Sequence, residues 1–381
     1  MTWDNIALNG VLARYTRENL VPGALGGVVD RQGDRNVGAA GYASLENEQP
    51  MKEDTIIGIA SMTKPVTTVA LLQLVEQGKV DLDAPFTDYV ADDAPRVLTG
   101  FDDEGSMVLA DADAIPTSRQ LLSHTSGYVY EIWNENMCQA LASGQVASML
   151  SGMEGLRVPL CFSPGERWEY GIGIDWAGKI VEAISGKGID VYFNDHIFQP
   201  LGMSDTAYAV PEDKHSRLAS VYIRTPDGYQ VGEPFGSTPM GGGGLNSTVA
   251  DYLTFIECIL NGGSLGETQI LQPDTVDSMF VNQIGAIDVL AGESYNAELS
   301  NTFDMGFGSP AKWGLGFLLH TEGTAAGRAP GSGSWAGLFN SYFWIDPASG
   351  VGGVVATQVL PFFDDNAVAM LQDFEKVVYQ S

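Results

Sequence analysis

Ser61 and Lys64 stand three residues apart in Thr55-Ile-Ile-Gly-Ile-Ala-Ser61-Met-Thr-Lys64-Pro65-Val66, and on one helical face such a pair can do acyl-transfer chemistry. A serine hydroxyl is a weak nucleophile near pH 7. A lysine desolvated among apolar neighbours can lose its proton and accept the serine's. The first turn of a helix adds backbone N–H groups without intrahelical partners, at the positive end of the dipole, and these suit a developing oxyanion. The chemistry therefore requires that Ser61 sit where a strand turns into a helix. The alternative is chance, because Ser-x-x-Lys recurs at Ser309-Pro-Ala-Lys312, in a Gly/Pro-rich stretch where no helix holds the two side chains together.

The residues around the first pair meet that requirement. Residues 55–60 form a short β-rich run. From Ser61 onward Val66, Val69, Ala70, Leu72 and Val75 recur mostly at three- and four-residue steps up to Gly78, the pattern of a buried helix closed by glycine. Pro65 is tolerated because the first turn has no intrahelical N–H bond to lose. Upstream, residues 4–19 have helical spacing, and residues 24–30 and 36–43 read as hairpin strands around Arg31-Gln-Gly-Asp34. Helix, strands and then a central helix is an α+β order with a mainly antiparallel sheet.

Downstream, the acidic residues 92–113 read as an irregular insertion or lobe boundary, and Thr117 with Gln120 forms a capping box for a new helix. Helical segments dominate to about Leu201. The aromatic run after Ser163-Pro-Gly-Glu-Arg-Trp leads into a helix through Trp176, Ile180, Val181 and Ile184, leaving Tyr170 just before it. Gly241 to Gly244 lack both the Gly-x-Gly-x-x-Gly pattern and the Walker lysine, so they read as glycines that let backbone approach a cleft. Thr248 and Asp251 then resemble a capping box for a helix from Tyr252 to Leu260. Residues 331–346 read as a Gly-rich lead into a strand, 351–360 as a second strand, and 366–379 as an amphipathic helix against the sheet.

Composition excludes several functions. The 381 residues carry 48 acidic and 19 basic side chains, a formal charge of -29, and a surface of that sign repels nucleic acid and anionic membranes. Cys138, Cys161 and Cys258 are widely spaced and read as small buried residues in a reducing compartment. With neither a leader pattern at Met-Thr-Trp-Asp-Asn-Ile nor an apolar run of spanning length, the expectation is a soluble cytoplasmic protein. His124, His196, His215 and His320 are scattered, so no metal or other cofactor is expected, and His124 is expected to bond within its own turn.

A rival nucleophile exists in Gly262-Gly-Ser264-Leu-Gly266, with Asp288, Asp304 and His320 following in the order of an α/β-hydrolase triad. Its context argues against it. A nucleophile elbow needs a strand before the serine and a helix after, whereas here a helix precedes and Gln269-Ile-Leu follows.

Ser61-Met-Thr-Lys64-Pro, Leu121-Leu-Ser-His-Thr-Ser-Gly127, Tyr170 after Pro-Gly-Glu-Arg-Trp, Gly241-Gly-Gly-Gly-Leu-Asn-Ser-Thr-Val-Ala-Asp251 and Trp335-Ala-Gly337, in this order, resemble the family VIII carboxylesterases of the serine β-lactamase and penicillin-binding-protein-like superfamily. The resemblance implies an α+β fold of β-lactamase/transpeptidase type, an antiparallel sheet flanked by helices. Residues 1–85 and 235–381 would form the α/β domain and 86–234 an inserted, mostly helical lobe. It implies Ser61 as nucleophile, with Lys64 and Tyr170 sharing proton transfer and the first base left open between them. A nearby lysine cation would favour a Tyr170 tyrosinate. The oxyanion hole would be the N–H groups of Ser61 and Leu338, with Trp335, Gly337 and Tyr128 on the substrate side. Tyr128, Tyr130 and Trp133 either line the acyl pocket or pack between helices.

Two departures shape the expected substrate. Trp335 replaces the lysine of the penicillin-recognising Lys-Thr-Gly, and Ile172 replaces the asparagine of Tyr-x-Asn. Apolar contact in place of a carboxylate-holding lysine implies neutral carboxylic esters with short acyl chains. Acyl transfer, weak β-lactamase or D-peptidase activity, and an inactive binding module on the same fold are the alternatives.

Overall fold

The computed structural model describes residues 3–91, 95–233 and 238–380. Asp92 and the expected domain boundary at 235 lie outside the described residues. The central element is an eight-stranded, wholly antiparallel sheet in the order Ala311–Trp313, Leu318–His320, Ser332–Gly337, Ser341–Asp346, Val351–Ala356, Gly23–Asp30, Arg35–Ser44 and Gln49–Pro50. Both ends of the chain meet where Gly23–Asp30 pairs with Val351–Ala356, Leu25 opposite Ala356.

Strand Gly23–Asp30 is buried along its whole length, and its glycines show why. A Cβ on Gly26 would strike Phe374 and Leu12 on one face; a Cβ on Gly27 would strike Val249 and Leu253 on the other. The helices Asn5–Arg17 and Asp365–Gln380 therefore cover one side of the sheet and Val249–Leu260 the opposite side. Asp4 caps the first of these helices through Ile6 and Ala7 N–H, and Thr248 caps Val249–Leu260 through Asp251 N–H. Asp251 completes no box; its carboxylate instead receives Asp205 N–H and the Thr206 hydroxyl.

Three sequence expectations are corrected. The described part of the acidic stretch is a hairpin, Arg96–Phe101 with Met107–Asp111, closed by Asp102 accepting from Glu104 and Ser106 N–H. A second hairpin, Tyr222–Thr225 and Gly228–Val231, lies beyond the helical stretch expected to about Leu201. The Gly-rich lead at 331 is itself strand Ser332–Gly337, all six residues buried, because small side chains let the sheet pack on both faces. Cys258 is buried, whereas Cys138 and Cys161 are half-buried, and all three are free. No helix among the described residues is long and apolar enough to cross a membrane.

An ion pair ties the last helix to the sheet. Arg328 and Glu375 are 1% and 2% exposed and in direct contact. Removing one partner of such a pair leaves an uncompensated buried charge. Glu375→Ala is therefore expected to cost about 3–5 kcal/mol in urea unfolding, with Arg328 left facing neutral His320.

Candidate active site

The short strand Ile57–Gly58 pairs with Asn246–Ser247, and the chain then turns through a 3-10 segment, Ala60–Met62, into helix Thr63–Glu76. Ser61 thus lies in the turn between strand and helix. Ala60 immediately before it has φ +43°, a left-handed value that a non-glycine residue rarely adopts and that usually marks a functional constraint. Gly337 lets the sheet come close here, since a Cβ would sit 2.3 Å from Ile59 O and 2.4 Å from Ser341 Oγ. The next residue, Leu338, faces the same cavity as Ser61. Neither the Ser61 nor the Leu338 N–H has a hydrogen-bond acceptor among the described residues.

Lys64 is wholly buried, and its Nζ lies 3.0 Å from Ser61 Oγ, 3.0 Å from the Tyr130 hydroxyl and 2.7 Å from the Gly242 carbonyl. Burial pulls its pKa down to about 7, against the upward pull of the Asp175 charge. Near neutrality a large fraction of Lys64 is therefore unprotonated. An amine in that state beside a hydroxyl can take its proton.

Asp175, in the first turn of helix Gly173–Ser185, accepts from Gly242 N–H at 2.7 Å and from the Tyr130 hydroxyl at 3.4 Å. Gly241 and Gly242 approach this helix closely. A Cβ on Gly242 would fall 2.3 Å from Asp175 Oδ2, and one on Gly241 2.4 Å from Ile174 O. These two glycines are there for backbone approach.

Tyr170 is buried with its ring against Lys64 Nζ, 4.8 Å from the centroid, and against Tyr130, Trp133 and Trp335. Its hydroxyl has no partner in hydrogen-bond geometry among the described residues, although Ser61 and Trp335 are near enough to oppose the rise in its pKa. Burial prevails and pushes the phenol well above its ordinary value, so the tyrosinate expected from a lysine cation is corrected. His124, at φ +55°, accepts Gly171 N–H at 3.3 Å instead of bonding in its own turn, and burial keeps it neutral.

The cavity beside Ser61 encloses about 760 Å³ counted out to its open mouth. Trp133, Met149, Leu150, Met240 and Leu338 give it an apolar wall, and no lysine or arginine is among its described lining residues. Trp335 and Ile172 are not among its described lining residues. Trp335 packs on Trp313 and Tyr170, while Ile172 caps helix Gly173–Ser185. Tyr128 is placed outside the cavity, stacked on Trp176 with Phe86 at its edge. Tyr130 and Trp133, expected either to line the pocket or to pack between helices, do line it, whereas the contact of Tyr130 with Lys64 and the whole of Asp175 were not foreseen. Their only sequence signal was proximity to motifs, since neither spacing nor composition marks a contact across 45 residues.

The rival constellations do not assemble. Ser264 lies in a two-residue strand paired with Thr268–Gln269, His320 bonds Ser334 and Arg328, and Asp304 caps Gly306 and Gly308. Lys312 is held by the Ile287 carbonyl and Asp288. Among the described residues no group of His, Cys, Asp and Glu is arranged to hold a metal ion.

An antiparallel sheet flanked by helices, with a serine and a buried lysine at the strand-to-helix turn, defines the β-lactamase/transpeptidase class of fold. The chain belongs to the beta-lactamase family, whose profile matches residues 8–375, and so to the superfamily of serine hydrolases and acyltransferases with that fold. It is 32% identical to the lovastatin esterase of Penicillium rubens, covering 87% of each chain. It is 30% identical to Acyltransferase calJ of Penicillium decumbens over 88% of this chain and 84% of that one. Among solved structures, unliganded simvastatin synthase from Aspergillus terreus superposes with a TM-score of 0.85 at 28% identity, covering 99% of this chain and 98% of the other.

Proposed function

We propose that the protein is a serine esterase that cleaves neutral carboxylic esters with short acyl chains through an acyl-serine at Ser61. The observation that carries this reading is the 3.0 Å contact between Ser61 Oγ and a fully buried lysine whose pKa is drawn to about 7. Lys64 takes the serine proton as Oγ attacks the ester carbonyl. The Ser61 and Leu338 N–H groups receive the oxyanion, and the C–O bond to the alcohol then breaks. Tyr170, kept protonated by burial, passes a proton to the leaving alkoxide and regains one through Lys64. Water attacks the acyl-serine by the reverse path. The apolar, cation-free wall favours a neutral substrate over one carrying a carboxylate.

Acyl transfer is the second reading, because relatives of similar identity carry the names of both an esterase and an acyltransferase. The two differ only in whether water or an alcohol meets the acyl-serine. The first test is labelling with a fluorophosphonate and mapping the adduct, which is expected on the Ser61 peptide. The second compares p-nitrophenyl butyrate with nitrocefin; a nitrocefin rate equal to the ester rate would remove the preference for esters. Adding a primary alcohol and counting ester against acid product separates hydrolysis from transfer. Tyr170→Phe is expected to lower kcat by about 10²- to 10³-fold with little change in KM, the signature of a proton-transfer group. An equal loss in both parameters' ratio through KM alone would assign Tyr170 to binding instead.

A further inference from the structure

Lys64 Nζ has three neighbours, and an unprotonated amine has two N–H bonds and one lone pair. The lone pair must face Ser61 for the serine proton to move. The Gly242 carbonyl can only accept, so one N–H is committed there. Tyr130 is the ambiguous neighbour, because a phenol can either accept the second N–H or aim its own O–H at the lone pair and block it. What decides between these is the group on the far side of Tyr130.

That group is Asp175, 4% exposed and aimed into the site, with Oδ1 on Gly242 N–H and Oδ2 toward the Tyr130 hydroxyl. A carboxylate only accepts, so the Tyr130 O–H turns to it and the phenol oxygen is left to accept from Lys64. The lone pair then has one partner, Ser61. Burial raises the Asp175 pKa above its ordinary value on balance, and it is opposed by Lys64, by the Gly242 and Tyr130 hydrogen bonds, and by Lys179 one turn along the helix, all of which favour the anion.

We propose that Asp175 is a positioning residue that sets the direction of the hydrogen bonds at Lys64, turning Tyr130 so that the lysine lone pair is free for the Ser61 proton. The inference rests on Ser61 and Lys64 acting as nucleophile and base. When Oγ attacks, the Ser61 O–H bond breaks and a third N–H forms on Lys64, giving an ammonium that donates to all three neighbours. The Asp175 anion, already in place, then faces the new cation.

Asparagine at this position reverses the arrangement. Its carbonyl oxygen still serves Gly242 N–H, but its NH₂ now donates to the Tyr130 oxygen and drives the phenol O–H onto the lysine lone pair. Asp175→Asn is therefore expected to lower kcat/KM for p-nitrophenyl butyrate by about 10²- to 10⁴-fold. Tyr130→Phe alone is expected to cost no more than about tenfold. In the Asp175→Asn background, Tyr130→Phe is expected to restore activity at least about tenfold by removing the blocking O–H, a sign reversal that double-mutant analysis detects.

A merely structural Asp175 gives no such rescue. A double variant no better than Asp175→Asn overturns the proposal, as does an Asp175→Asn enzyme within threefold of the original. Should Asp175→Asn fail to fold, Asp175→Glu carries the test: it keeps an acceptor-only group and is expected to retain activity within about a hundredfold. A folded Asp175→Glu enzyme as inactive as Ser61→Ala overturns the idea. Fluorophosphonate mapping on the unaltered protein separates the two levels, since an adduct away from Ser61 removes the nucleophile assignment itself, whereas an adduct on Ser61 without rescue removes only the role of Asp175.

Discussion

Ser61→Ala is expected to lower kcat/KM for p-nitrophenyl butyrate by about 10⁴- to 10⁶-fold and to abolish fluorophosphonate labelling. The size follows from the site's construction. Ser61 Oγ touches Lys64 Nζ at the cavity wall, whereas Tyr130, the other hydroxyl on Nζ, also lines the cavity but is buried and held toward Asp175. Without Oγ no acyl-enzyme forms, and only positioning by the cavity and the free N–H groups remains to assist water. Folding should be nearly unaffected, within about 1 kcal/mol, because Ser61 is half-exposed and loses one hydrogen bond. A folded Ser61→Ala protein with more than a few per cent of the original rate would place the nucleophile elsewhere.

Lys64→Met should show two large effects of opposite sign. Activity falls by about 10³- to 10⁵-fold, since the proton acceptor is gone while the cavity keeps its shape. Stability rises. An unfolded lysine titrates near 10.5 and the folded Lys64 near 7, so between those values the unfolded chain binds a proton that the folded chain refuses. Stability of the unaltered protein therefore climbs with pH across that window, and the penalty of burying Lys64 is fully present below about pH 7. Methionine removes both penalty and slope. Asp175 loses its cation in exchange, which trims the gain to about 1–3 kcal/mol at pH 7. Urea unfolding at pH 7 and pH 9 checks this; a variant less stable than its parent, with the same pH slope, would contradict the burial argument.

Local patterns reported the frame well where a single element suffices. The apolar spacing from Val66 to Val75 gave helix Thr63–Glu76, Thr117 and Gln120 do form a capping box, and Gly241 and Gly242 do admit close backbone. The failures share a cause. Residues 92–113 looked irregular because their charges face solvent, yet main-chain pairing between Arg96–Phe101 and Met107–Asp111 needs no apolar pattern. Strand Ser332–Gly337 was obscured because a strand buried on both faces among glycines and serines loses the alternation by which strands are read. Tyr128 and Tyr130, two residues apart, were indistinguishable in the chain; one stacks on Trp176 and the other touches Lys64.

The chain by itself determined the class of fold, the Ser61 and Lys64 pair and its place at a strand-to-helix turn, because these depend on interactions within a few residues and on motifs in order. Tertiary structure alone decided that Lys64 is dry enough to titrate near 7, that Tyr170 stays protonated, and that Asp175 and the Gly242 carbonyl surround the amine. The reason is that desolvation and hydrogen-bond direction are properties of what packs around a group, and here the packing partners come from segments up to 178 residues away.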